Sequence, residues 1–180
     1  AFEIDVRRTR LGLEVAGPMF GTARTGGRAE IDFQGDFVTE NRAGVLLRHA
    51  YWEAKDDRTR LLVGQYWDVA SPLYPNTLNY GYGYFAGNIG FRRAQFRAER
   101  FISYSDHLML TFAASLNQDI VPDFLTDPGI RRESSNWPVI EGRVALTVGP
   151  RENRLNSTTL GFSGHIGETG FDFLTDGPPP

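Results

Sequence analysis

Polar and apolar side chains alternate at every second position through most of this chain. The clearest stretch is residues 28–37, where Arg28, Glu30, Asp32, Gln34 and Asp36 alternate with Ala29, Ile31, Phe33, Gly35 and Phe37. Successive side chains of a β-strand point to opposite faces, so this stretch predicts a strand with one polar and one apolar face. Helical spacing of apolar residues is nearly absent.

The same alternation recurs along the sequence and predicts eight strands in a single all-β domain that spans residues 1–180. Their ranges are 9–15, 28–37, 44–53, 60–67, 93–102, 107–117, 140–148 and 159–166, of which 44–53 and 60–67 are the more mixed. Upstream, the parity of the apolar positions changes at Arg7 and Arg8, which predicts a bulge or a bend there.

Composition restricts the classes of function. The 180 residues include no cysteine, which excludes a disulfide framework, thiol catalysis and cysteine-ligated metal. A net charge of -3 gives no basic field for nucleic acid, so we predict no nucleic-acid partner. The sequence contains no run of about 18 apolar residues, so no transmembrane helix is predicted. The mean hydropathy of -0.34 also fits a membrane β-barrel, because only every second strand residue faces lipid.

The predicted connections alternate between short and long, which is typical of outer-membrane barrels. Short connections lie near residues 56–58, 103–106 and 151–156, and long ones at 68–90, 118–136 and after 167. Two connections depart from this rule, because 17–27 is of medium length and 38–42 is short. Aromatic residues such as Tyr51, Trp52, Tyr66, Trp67, Tyr104 and Trp137 are predicted at strand ends, where Tyr and Trp favour membrane interfaces.

Long charged side chains form dense rows on the polar faces of the predicted strands. Such rows pair across strands and stiffen a wall, or they line a watery lumen and select solutes. The predicted pore-lining residues are Arg8, Arg10, Arg28, Glu30, Asp32, Asp36, Arg48, Arg93, Gln95, Arg97, Glu99, Glu141 and Arg143. Among them, Arg93 and Arg97 are the leading candidates for contact with anions. Four residues of the loop 68–90 are candidates for a constriction: Tyr74, Asn76, Tyr80 and Tyr82.

Several motifs, in order, resemble the amino-terminal half of the DcaP-like outer-membrane porins. They are RRTRLGLEV (7–15), RAEIDFQGDF (28–37), VLLRHAYWEA (45–54), LLVGQYWDVASPLYPNTLNYG (61–81) and GFRRAQFRAER (90–100). The resemblance covers roughly residues 7–116. It implies a homotrimer of transmembrane barrels, each of about sixteen strands, in the outer membrane of a Gram-negative-type bacterium. Small solutes, anions among them, would cross passively, with outer-membrane lipid and lipopolysaccharide around the barrel. We therefore expect this chain to be the amino-terminal portion of a larger barrel.

Two other functions are compatible with the sequence. The first is a soluble or surface β-sandwich that binds carbohydrate through the aromatics of loop 68–90. The second is a small outer-membrane barrel that hydrolyses lipid through His165, near Ser163 and Glu168. No nucleophile elbow or oxyanion motif accompanies these residues, so we predict no catalytic residue and no enzyme activity. Asp119, Asp123 and Asp127 lack the EF-hand pattern, and no metal or cofactor is predicted.

Overall fold

In the computed structural model, the chain forms one eight-stranded antiparallel sheet and a separate two-stranded sheet. The structure describes residues 9–35, 44–72, 91–119, 130–133, 137–150, 156–168 and 170–173. The strands are β1 (Leu11–Phe20), β2 (Ala23–Asp32), β3 (Leu46–Lys55), β4 (Thr59–Trp67), β5 (Arg92–Ser105), β6 (Leu108–Asn117), β7 (Ile130–Glu133), β8 (Val139–Val148), β9 (Thr158–Ile166) and β10 (Gly170–Phe173). The predicted all-β class is confirmed.

The large sheet is an antiparallel meander in the order β1-β2-β3-β4-β5-β6-β8-β9, in which consecutive strands pair except that β6 pairs with β8 and not with β7. These eight strands correspond to the eight that the alternation predicts. β1 and β9 form the two edges of this sheet. The small sheet pairs β7 with β10. Both of these segments lie in predicted loops, and that prediction is wrong.

The hairpin of β1 and β2 departs most from the sequence prediction. The sequence predicts a connection of medium length at residues 17–27, whereas only Gly21 and Thr22 separate the two strands. Gly21 has a φ of 61°, the left-handed conformation that a tight hairpin turn requires. Pro18 lies within β1, where the pairing register shifts between Ala16 and Met19. A bulge at this point tolerates proline because the irregular pairing demands no ladder hydrogen bond from it.

Between the other strands, short and long connections alternate more regularly than the sequence predicts. The predicted short connection at 38–42 is wrong, since β2 ends at Asp32 and β3 begins only at Leu46. Residues 33–45, 68–91 and 118–138 therefore join strands at one end of the sheet. The turns 21–22, 56–58 and 106–107 lie at the other end, because consecutive strands are antiparallel.

The turn between β3 and β4 is closed by Asp56. Its Oδ1 accepts hydrogen bonds from the backbone amides of Arg58 and Thr59 at 2.8 and 2.7 Å. These bonds hold the pKa of the Asp56 carboxyl below its ordinary value. An aspartate that satisfies the amides following it is a common way to fix a short turn.

The large sheet has two chemically different faces. On the apolar face, paired positions place Val63, Phe96, Leu116, Ile140 and Ile166 side by side across five strands. On the polar face, the next row contains Leu62, Arg97, Ser115, Glu141 and His165. The one-residue offset between these rows is the alternation seen in the sequence.

Burial is inverted relative to a water-soluble domain. Within the described ranges, ten polar or charged residues are buried but only six hydrophobic ones, and all of them lie on the polar face or at residues 67–69. Asp32 is 1% exposed, whereas Phe96 and Phe112 on the apolar face are 53% and 40% exposed. Side chains of the polar face crowd one another, as they do on the inside of a curled sheet. The apolar side chains project outward uncovered by the rest of the described chain.

No helix in the described part of the chain has the length and apolar character needed to cross a membrane.

Candidate functional site

The first part of the polar face is a chain of ion pairs across β1, β2 and β3. Arg28 bonds Glu14 at 2.9 Å and also pairs with Glu30. Arg48 continues the chain, with its Nε 2.9 Å from Glu30 and its Nη1 2.5 Å from Asp32. Side-chain exposure falls along this chain from 73% at Glu14 to 1% at Asp32. The inner pairs are therefore largely withdrawn from solvent.

A β-bulge explains why Arg48 lies on the polar face beside His49. In the pairing of β2 with β3, Glu30 opposes His49 while Ile31 opposes Leu47, so Arg48 is an extra residue. A bulge lets two successive side chains point to the same face. Both are buried, at 5% and 8% exposure. Because strict alternation places only one of two neighbours inward, the sequence predicts Arg48 and not His49.

The second part of the polar face is a group of arginines around an aromatic ring. Arg60 bonds Glu53 at 2.6 Å and lies 3.5 Å from Glu99, which also pairs with Arg97. The guanidinium carbons of Arg60 and Arg97 lie 4.9 and 5.6 Å from the ring centre of Tyr66. Stacking of guanidinium on an aromatic ring favours both groups and fixes their positions.

Tyr66 also packs against Tyr51, with ring centres 4.9 Å apart. Gly64 makes this approach possible: it pairs with Tyr51, has a φ of 122°, and a Cβ built there would lie 2.2 Å from the Ala50 carbonyl oxygen. The prediction of an interfacial belt is wrong for Tyr51 and Tyr66, which lie among charges on the polar face. Tyr104, near the end of β5, is 66% exposed.

The third part is a short segment that crosses the polar face. Residues 68–70, which we call the strap, follow β4 and contact β5, β8 and β9. Asp68 forms a bidentate pair with Arg93, at 3.0 and 2.9 Å. The Val69 and Ala70 amides donate to Oε2 of Glu141 at 2.7 and 3.0 Å.

Two further contacts complete the attachment of the strap. The Ser163 hydroxyl on β9 donates to the Ala70 carbonyl oxygen at 2.5 Å. Oε1 of Glu141 accepts from Arg93 Nη2 at 2.5 Å. Glu141 therefore bonds to the strap with one oxygen and to Arg93 with the other. Val69 is fully buried beneath these contacts, at 0% exposure.

Most predicted pore-lining residues come together on this face. Arg28, Glu30, Asp32, Arg48, Arg93, Gln95, Arg97, Glu99, Glu141 and Arg143 lie there, and Arg10 is exposed just before β1. Arg8, Asp36 and the constriction candidates Tyr74, Asn76, Tyr80 and Tyr82 lie outside the described residues.

Several members of the site are not among the residues predicted from the sequence. Arg60, Glu53 and Tyr66 lie in the two mixed strands, where alternation was obscured. Their signal was nevertheless present, since Arg60, Leu62, Gly64 and Tyr66 occupy alternate positions of β4. Asp68 gave no signal, because its role depends on Arg93, 25 residues further along the chain.

The three residues considered for lipid hydrolysis, Ser163, His165 and Glu168, have other partners in the structure. Ser163 donates its hydroxyl proton to the strap, and Glu168 accepts a hydrogen bond from Trp137 Nε1 at 2.5 Å. His165 pairs in the sheet with Glu141. No described group of three or more His, Asp or Glu side chains is arranged to hold a metal ion.

The chain matches no protein-family model, and no curated protein or solved structure is significantly similar to it.

Proposed function

We propose that this sheet is part of the wall of an outer-membrane porin of the DcaP-like group, through which small solutes diffuse passively. The observation that carries the proposal is the inverted burial of the two faces. Asp32, Asn117 and Glu141 are at most 1% exposed, whereas Phe162 is 78% exposed and Leu13 is 65% exposed. Soluble monomers rarely expose so continuous an apolar surface. Lipid contact outside and water inside account for both faces together.

The ion pairs of the polar face set the expected selectivity. Among the described residues they join five arginines to seven carboxylates. Arg93 and Arg97 each already have a carboxylate partner, so an anion has to compete with that partner for contact. We therefore propose a steric sieve with weak charge selectivity, in which anions pass along Arg93 and Arg97 without being held.

The rest of the assembly follows from the same proposal. A barrel wide enough for an aqueous channel has about sixteen strands, of which the eight-stranded sheet would supply half. The apolar face would contact outer-membrane lipid, lipopolysaccharide and the neighbouring subunits of a homotrimer. The membrane would be the outer membrane of a Gram-negative-type bacterium.

Conductance in a planar bilayer tests this function. The full protein, purified in detergent and added to the aqueous compartment, is expected to produce stepwise current increases that remain open at low voltage. A protein that is monomeric and soluble without detergent, and that adds no current, would contradict the proposal. That result would favour the soluble β-sandwich instead.

A further inference from the structure

Beside the strap, the polar wall contains buried side-chain atoms that have no protein hydrogen-bond partner, although Gln95 Nε2 donates to the Tyr66 and Trp67 carbonyl oxygens. Gln95, Ser115 and Asn117 lie on β5 and β6, between the origin of the strap at β4 and its attachment on β8, and are at most 4% exposed. The amide oxygen of Gln95, the hydroxyl of Ser115 and both amide atoms of Asn117 have no hydrogen-bond partner. Buried polar atoms of this kind are ordinarily satisfied by water. This stretch of wall therefore has the chemistry of a water-lining surface, yet its side chains are buried between β4, which the strap follows, and β8, which holds the strap amides.

Glu141 is the residue on which the attachment of the strap depends. Its carboxylate receives both strap amides and the Arg93 guanidinium, and its side chain is 1% exposed. Hydrogen bonds to an ionised carboxylate are roughly twice as strong as neutral ones. Asp68 reinforces the arrangement by holding the same guanidinium from the strap side. The carboxylates of Glu141 on β8 and Asp68 on the strap thus both bond the Arg93 guanidinium.

We propose that the strap is a fixed constriction of the pore and that Glu141 is the positioning residue that holds it. This inference rests on the proposed function. Backbone that lies across β5, β6 and β8 occupies part of the water column and displaces the solute path toward the wall of β1 to β4. Without Glu141, the Val69 and Ala70 amides lose their acceptor, and the strap moves away from β8.

Single-channel conductance of Glu141→Ala tests the proposal. We expect a rise of about 1.5-fold over the wild type, because a wider water column carries more ions. Glu14→Ala is the matched control, since it removes another arginine-paired carboxylate from the polar face without touching the strap. Glu14→Ala is expected to change the conductance less than Glu141→Ala does, because the Glu14 side chain is 73% exposed and bonds no residue of the strap. Should Glu141→Ala fail to assemble, Glu141→Gln, which keeps the length of the side chain, is expected to give a smaller rise.

A crosslink distinguishes the position of the strap from the loss of charge. The chain has no cysteine, so Ala70→Cys with Ser163→Cys introduces a single pair at a contact that already exists. In the Glu141→Ala background, oxidation or a short bifunctional thiol reagent is expected to restore the wild-type conductance, and reduction to remove it again.

The outcomes separate this inference from the function on which it rests. If all variants form channels and Glu141→Ala conducts like Glu14→Ala, the strap is not a constriction. If crosslinking leaves the raised conductance unchanged, the rise comes from the lost charge and Glu141 does not act through the strap. If neither the wild type nor any variant conducts, the porin function itself is wrong, and the role of the strap fails with it.

Discussion

Arg48 is a single buried cation that compensates two buried carboxylates of the polar face. It holds Glu30 and Asp32 at once, and the three side chains are 6%, 7% and 1% exposed. Buried charges of one sign are tolerated only when an opposite charge and hydrogen bonds compensate them. The bulge that turns Arg48 inward therefore provides the cation that two neighbouring carboxylates of β2 require.

Replacing Arg48 with methionine is expected to lower the free energy of unfolding by about 3–5 kcal/mol, because it leaves both carboxylates buried with one cation fewer. Denaturant titration of the protein in lipid vesicles measures this change. Glu14→Gln, at the 73% exposed end of the same ion-pair chain, is expected to cost less than about 1 kcal/mol. Adding Glu30→Gln and Asp32→Asn to Arg48→Met should recover much of the loss. Equal effects of Arg48→Met and Glu14→Gln would mean that water reaches the inner pairs.

At the scale of the strand, alternation predicted most of the large sheet, because burial of one face imposes a period of two on the sequence. It failed at β1 and β2, where glycines and Pro18 interrupt the period while the backbone stays paired. Alternation also could not place His49, because a bulge suspends the rule locally. The local alternation of side chains thus predicts that a strand exists, but it does not predict the position of the extra residue in a bulge.

The contacts of the strap could not be predicted from the sequence, for a different reason. Its contacts join Val69 to Glu141 across 72 positions and Ala70 to Ser163 across 93. No local period encodes such pairs. Glu141 was correctly placed on the polar face, but its oxygens could be assigned to backbone amides only once the path of residues 68–70 was known.

β8 offers a direct comparison of its two faces. Val144 lies in the middle of the strand on the apolar face and is 42% exposed, while Thr147 lies three residues away on the polar face. In a bilayer, Val144→Lys is expected to lower the free energy of unfolding by about 2–4 kcal/mol, because it places a charge among acyl chains. Thr147→Lys should cost under about 1.5 kcal/mol, the value of its hydrogen bond to Thr159.

Equilibrium unfolding from vesicles gives both values. A fold that leaves the apolar face in water makes the opposite forecast for Val144, since lysine at a water-exposed valine usually changes stability by no more than about 0.5 kcal/mol. A cost at Thr147 equal to that at Val144 would show that the two faces of β8 meet the same medium.

For the molecule as a whole, the two faces extend from β1 to β9 without interruption in the described strands. Apolar rows such as Val63, Phe96, Leu116 and Ile140 cross strand after strand in register, and rows of the polar face follow one residue away. A second layer of protein on the apolar side would bury these rows. The described chain supplies none, so the medium that meets this face decides between a membrane wall and a water-soluble fold.

Single cysteines on β8 identify that medium, because the cysteine-free chain gives no background. In sealed vesicles, a charged thiol reagent is expected to modify Arg143→Cys and Thr147→Cys through the water column. Val144→Cys and Leu146→Cys should stay unmodified until detergent dissolves the bilayer, although Val144 and Leu146 are 42% and 38% exposed in the isolated chain. Surface exposure alone forecasts rapid reaction at these two positions. Their modification in intact vesicles, at the rate seen at Thr147→Cys, would place the apolar face in water and remove the basis for a pore.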